Sequence, residues 1–154
     1  MMIELDHIIP PPTAFYFNVH FIGPVPILDM AFLEVSGLTM ELETEEIDVG
    51  GGNKRVIPTR QKHGNFVCKR PMKSIGMSVL SAWTAVSMQG AVDQRILTTD
   101  IIVTLLSAIG TPQCAWYLAT AYPVKWDISG FDSTKNEVAI ETLEFAYDSL
   151  NRVM

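Results

Sequence analysis

Between Ala14 and Gly23 the chain alternates Phe15, Phe17, Val19 and Phe21 with Tyr16, Asn18, His20 and Ile22, which predicts a half-buried strand ended by Gly23-Pro24. Asp29 to Glu43 predicts a second strand interrupted at Ser36-Gly37, since a glycine inside a strand marks a bulge or corner. Beyond it, Leu38, Met40 and Leu42 alternate with Thr39, Glu41 and Glu43, giving one acidic face. Ile47 to His63 has the least regular pattern and suits either a long flexible loop or a hairpin tip that orders against a neighbour. Asn65 to Arg70 is a short strand.

Ser74 to Gly90 is the good helix, with Ser74 or Ser78 to cap it and Gly90 to end it in the left-handed conformation. Val79, Leu80, Trp83 and Val86 follow helical spacing as a core stripe. The opposite side, Ser81, Ala82, Thr84, Ala85 and Ser87, is small and uncharged. It suits close packing by a partner or, more blandly, a solvent face poor in charge. Thr98 to Ile109 is a buried strand that ends in a Gly110-Thr111-Pro112 turn.

The chain is organised around two arms, Ala115 to Trp126 and Asn136 to Tyr147, joined by the polar turn Asp127 to Lys135. In the second arm the apolar side flips from Val138, Ile140 and Thr142 to Leu143, Phe145 and Tyr147. Side chains of a strand alternate strictly, so either a bulge re-aims the chain near Thr142 or both faces are covered there. Residues 1–13 form a leader with Pro10, Pro11 and Pro12, polyproline-like and either partner-bound or a loose tail. Residues 14–150 form a single domain, and Asn151 to Met154 is tail.

At 154 residues one core suffices. Hydrophobic residues make up 48% and charged residues 18%, with a mean hydropathy of +0.22, a shortage of charge implying surface that is not left to water. Cys68 and Cys114 are far apart, with no CxxC partner and no secretory signal ahead of them. They are expected to be buried small hydrophobes in a reduced cytoplasm. No run is long and apolar enough for a membrane helix, so no membrane insertion of the monomer is expected. A net charge of −6 argues against nucleic acid as partner of the whole surface. The charge is locally bipolar: six acids fall between Glu34 and Asp48, and seven of the eleven Lys and Arg residues fall between Lys54 and Lys73.

Catalytic chemistry does not assemble. Glu141 and Glu144 fall on opposite faces of a strand, and Ser36 lacks the context of a nucleophile elbow. His7, His20 and His63 each lack a partner at ligand spacing, so neither a metal nor any cofactor is expected. Gly50-Gly51-Gly52-Asn53 with Lys54-Arg55 lacks the ending of a phosphate-binding loop. The chain is read as a non-enzyme.

The order Ala115-Trp116-Tyr117-Leu118 through Ala121-Tyr122-Pro123-Val124-Lys125-Trp126, then a turn, then Asn136 to Tyr147, resembles the C-terminal half of contractile-phage tail-tube proteins and of the inner-tube proteins of contractile injection systems. Phe32 to Leu38, the acidic run before Gly50 to Asn53, and Cys68 to Arg70 follow in that family's order. The resemblance implies a mainly β fold, an antiparallel two-sheet sandwich or barrel of roughly six to eight strands with one flanking helix. Six copies then form a ring around a channel, and rings stack into a tube that a contracting sheath drives through an envelope, with cargo protein or DNA in the lumen. Partners implied are the chain itself, the sheath, and baseplate or spike proteins, with assembly in the cytoplasm before incorporation into a virion or injection particle.

The resemblance also makes Ile47 to His63 an arm reaching the adjacent subunit and the next ring. With the bipolar charge, this marks as subunit interface Glu41, Glu43, Glu45, Glu46 and Asp48, the turn Gly50, Gly51, Gly52 and Asn53, and the bases Lys54, Arg55, Lys69 and Arg70. Ser81, Ala82, Thr84 and Ala85 become a subunit or sheath contact. Ile47 and Val49, Pro71, and the proline-rich leader depart from the family pattern, which leaves open a specialised tube initiator on the baseplate. A monomeric barrel carrying a small ligand is the alternative from another class.

Overall fold

The computed structural model describes residues 16–23, 27, 32–72, 78–90 and 96–154; the leader and the Ser74 cap lie outside them. Nine strands and one helix follow among the described residues: β1 (Phe17–Ile22), β2 (Glu34–Ser36), β3 (Met40–Gly50), β4 (Asn53–His63), β5 (Phe66–Pro71), α1 (Val79–Gln89), β6 (Thr99–Leu106), β7 (Pro112–Ile128), β8 (Ile140–Ala146) and β9 (Ser149–Arg152).

Strand β7 is the spine. Its first half pairs with β6 and β9, and its second half pairs with β8. β1 continues the sheet beyond β6, while β5 and then β2 continue it beyond β8, every pairing antiparallel. Two sheets sharing one long strand can fold over one another, and inward residues of both, Val19, Phe21, Leu118, Phe66, Leu143 and Phe145, form one core. Each large apolar side chain so buried contributes about 1.5–3 kcal/mol. The expected antiparallel two-sheet fold is found. The strand count is higher because the irregular stretch is a full hairpin and residues 149–152 pair with β7 instead of forming a tail.

The change of sheet occurs where β7 turns at Thr120, whose φ of 56° is a left-handed value costly for a β-branched residue. Asp100 clasps this corner: its carboxylate accepts the Thr120 backbone N–H at 2.9 Å and the Tyr117 hydroxyl. Those bonds, Thr120 first, hold the Asp100 carboxyl below its usual range, and the Tyr117 phenol is raised in return.

The pattern flip in the second arm has a different cause from either expected. β8 pairs with β5 without interruption, and its inward side is Glu141, Leu143 and Phe145. The apolar parity never changes; Glu141 simply occupies one of its positions. The irregularity lies across the interface in β7, between Pro123 and Lys125, where proline cannot donate to a ladder. Gly37 does mark a corner: its φ is 89°, and a Cβ there would lie 2.0 Å from the Asn65 carbonyl oxygen.

Candidate assembly interface

Strands β3 and β4 pair over eleven residues each and form a sheet of their own, joined through Gly50, Gly51 and Gly52, all at positive φ. The acidic and basic runs of the sequence are thereby the two arms of one hairpin. Glu41 lies opposite Lys62, Glu43 opposite Arg60 and Asp48 opposite Lys54. Arg60 binds Glu43 through two nitrogens, which lowers the Glu43 carboxyl below its ordinary value. The expectation that these acids face the bases of a neighbour is corrected to this extent: Glu41, Glu43 and Asp48 have bases opposite them in their own chain. Glu45 and Glu46 lie opposite Ile57 and Val56 instead.

The hairpin is pinned to the body at one end. The His63 ring stacks on Tyr147 at 4.1 Å between centroids, and its Nε2 lies 3.0 Å from the Asp148 carbonyl oxygen. Asn65 donates to Glu144 at 2.9 Å just beyond. The rest of the hairpin is exposed or half-buried.

Two interface expectations fail on burial. Arg70 is completely inside, where its Nε donates to Glu141 at 2.9 Å and its Nη2 to the hydroxyls of Ser78 and Ser81 at 2.8 and 2.6 Å. The Trp126 indole N–H donates to the other Glu141 oxygen at 2.9 Å. Lys69, the preceding residue, points to the other face, 3.8 Å from Glu34.

The same network widens the buried side of the helix: Leu80 and Trp83 are in the core as expected, but the small-residue side is buried as well. Ser81, Thr84 and Ala85 are buried and Ala82 is half-buried, whereas Val79, Val86 and Met88 face outward. The physical reason is that Arg70 needs hydroxyl acceptors beside it, and small side chains let the helix approach the sheet closely. Ser78 caps the helix by accepting the Ser81 N–H at 3.1 Å, and Gly90 ends it at φ −97°, not in the left-handed region.

The signal for the missed pair was legible as parity. Phe66 and Cys68 put Arg70 on the inward side of β5, as Leu143 and Phe145 put Glu141 inward on β8. Both cysteines are free; Cys68 is buried, which pushes its thiol well above the ordinary value, but Cys114 is only half-buried. No three His, Cys, Asp or Glu side chains among the described residues are grouped to hold a metal, and no described helix is long and apolar enough to cross a membrane.

Residues 13–151 match the family described as T4-like virus tail tube protein gp19. No curated protein matches. Among solved structures, a chain of the six-fold symmetrised anti-feeding prophage baseplate is 26% identical with a TM-score of 0.80, covering 94% of this chain and 96% of that one. A chain of the anti-feeding prophage tube-terminating cap is 23% identical, TM-score 0.79, covering 99% and 98%. Hcp1 from Flavobacterium johnsoniae is more distant at 18% identity and a TM-score of 0.57, covering 90% and 95%. With the two-sheet body, its flanking helix and the projecting hairpin, this match over nearly the whole length establishes that the chain belongs to the T4-like tail tube protein family.

Proposed function

We propose that this chain is the repeating subunit of the inner tube of a contractile particle, six copies closing a ring and rings stacking around a channel that conducts protein cargo or DNA. The observation that carries this reading is the hairpin. Two strands exposed on both faces are marginally stable in water, and a protein that builds eleven-residue strands of this kind gives them a partner. Open strand edges argue the same way: β1, β2 and β9 each pair on one side only among the described residues. Similar chains occur in structures of a sheath-tube complex, a baseplate and a tube cap, which supports sheath and baseplate proteins as partners and a place in a phage-like or injection particle.

The hairpin residues Glu41 to Arg55 and the neighbouring Lys69 form the contact with the next copy in this reading. Glu45 and Glu46, without a base opposite them, set register and direction more than affinity. Reversing both to lysine is expected to stop tube growth while the protomer stays folded, read by negative-stain microscopy beside circular dichroism. Normal tubes from that variant refute the assignment. A tube initiator on the baseplate is the second reading, favoured by the proline-rich leader and the likeness to a baseplate chain. An initiator stops at one ring, whereas the repeating subunit polymerises alone.

A further inference from the structure

The chain leaves the two-sheet body after β2 and returns to it through Gly64 and Asn65 into β5. Neither β3 nor β4 packs broadly on another element among those described, so the hairpin is steered from its root. At that root stands the His63 ring. Its Nε2 lies 3.0 Å from the Asp148 carbonyl oxygen, its Nδ1 lies 3.2 Å from the Gly64 carbonyl oxygen, and its face stacks on Tyr147 at an interplanar angle of 9°.

Both ring nitrogens thus face backbone carbonyls, which accept hydrogen bonds and cannot donate them. A neutral imidazole carries one N–H and one lone pair, so it satisfies one carbonyl and turns its lone pair toward the other. An imidazolium carries two N–H groups and satisfies both. The stack favours the same form, because the face of a tyrosine ring attracts a cation within about 6 Å of its centroid, and here the centroids are 4.1 Å apart. The titratable groups around the ring are Glu41 and Lys62 of the hairpin, which share a hollow with it, Tyr147 and Asp148 at the β8–β9 corner, and Glu144 of β8, which accepts from Asn65. Three carboxylates against one ammonium make surroundings that suit a cation.

We infer that His63 is doubly protonated in this arrangement and that its second proton latches the hairpin to the body. Charged, the ring donates to Gly64 and Asp148 together and ties the end of β4 to the β8–β9 corner. When one proton leaves, one of the two bonds is replaced by a lone pair facing a carbonyl oxygen, and the root of the hairpin loosens while the Asn65 to Glu144 bond and the chain itself remain. The direction in which the hairpin projects therefore depends on pH over the range in which histidine titrates. The latch belongs to the single chain and does not depend on the self-assembly proposed above.

The test reads the hairpin in single molecules. Asn53→Cys at the hairpin turn and Ile109→Cys at the β6–β7 turn, both exposed, carry a pair of dyes in a Cys114→Ser background, where the buried Cys68 stays unlabelled. Energy transfer at picomolar concentration then reports how often the hairpin tip leaves its place against the body. Ordinary carboxylates titrate below about pH 5 and lysine and tyrosine above about pH 9, so comparing pH 5 with pH 8 addresses histidine. Wild type is expected to visit displaced positions about tenfold more often at pH 8 than at pH 5, the worth of one charge-assisted hydrogen bond. His63→Phe, which keeps the stack and has no proton to lose, is expected to show the frequent displacement at both values. His63→Gln, polar and equally without titration, is the second variant and should likewise show no pH response. A wild-type distribution that is the same at pH 5 and pH 8 overturns the inference. So does a pH response of wild-type size in either variant, which would assign the change to another group.

Discussion

The body and the hairpin each contain an arginine bound to a glutamate across neighbouring antiparallel strands, and the two pairs have opposite meanings. Arg70 and Glu141 are enclosed, with Trp126, Ser78 and Ser81 satisfying their remaining atoms. Arg60 and Glu43 stand in water. An exposed pair gains little, because solvent screens it and two long side chains must be held still. A buried pair also gains little over a well-packed apolar substitute, but breaking it strands an uncompensated charge. The enclosed pair thus specifies how the helix sits on the sheet, while the exposed pair keeps the hairpin soluble and in register without holding it to anything.

The comparison is broken most severely by Glu141→Gln. It leaves the Arg70 guanidinium buried at the N-terminal, positive end of α1, and about 3–5 kcal/mol of stability should be lost, measured by urea unfolding. Replacing both partners, Arg70→Met with Glu141→Leu, should recover most of that loss; a double variant as unstable as the single one would contradict the pairwise account. Gly37→Ala should follow at about 2–3 kcal/mol, since the new methyl meets the Asn65 carbonyl in a conformation alanine avoids.

The Asp100 clasp gives a smaller, pH-dependent effect. Its folded-state value is depressed, so the stability it supplies is complete above the ordinary aspartate value of about 3.9 and is lost as pH falls through the lower folded one. For Tyr117, raised in the folded state, the contribution is complete below about 10 and is lost as pH rises through the higher folded value. Asp100→Asn should therefore flatten the acid limb of a melting-temperature profile; an unchanged limb would show that the clasp does not hold the corner. The smallest effect belongs to Glu43→Gln, for which the melting temperature should not move measurably.

The body was legible in the sequence because its strands bury one face, and strict alternation at Phe17 to Phe21 or Thr99 to Val103 leaves little choice. Alternation also misled. A glutamate at an inward position of β8 looked like a change of face, and the serines of α1 looked like surface, because hydrophobicity stands in for burial only when buried polar groups are rare. Arg70, Glu141, Ser78 and Ser81 break that rule together, each supplying the partner that lets another be buried. The hairpin was half legible for the converse reason. With neither face of the hairpin covered by the described residues, little imposes a period on Glu41 to Lys62, and the glycine turn and the opposed runs of charge are what signal it. Its two-sided exposure suits a strand pair whose second layer comes from another molecule.

The central claim is that the hairpin and the open edges belong to an assembly of identical chains. Sedimentation velocity of the purified protein across a concentration series tests it most directly. The account predicts a slow species of 17.1 kDa giving way, with little dimer between, to rings and longer stacks. A single 17.1 kDa species at every concentration would contradict it.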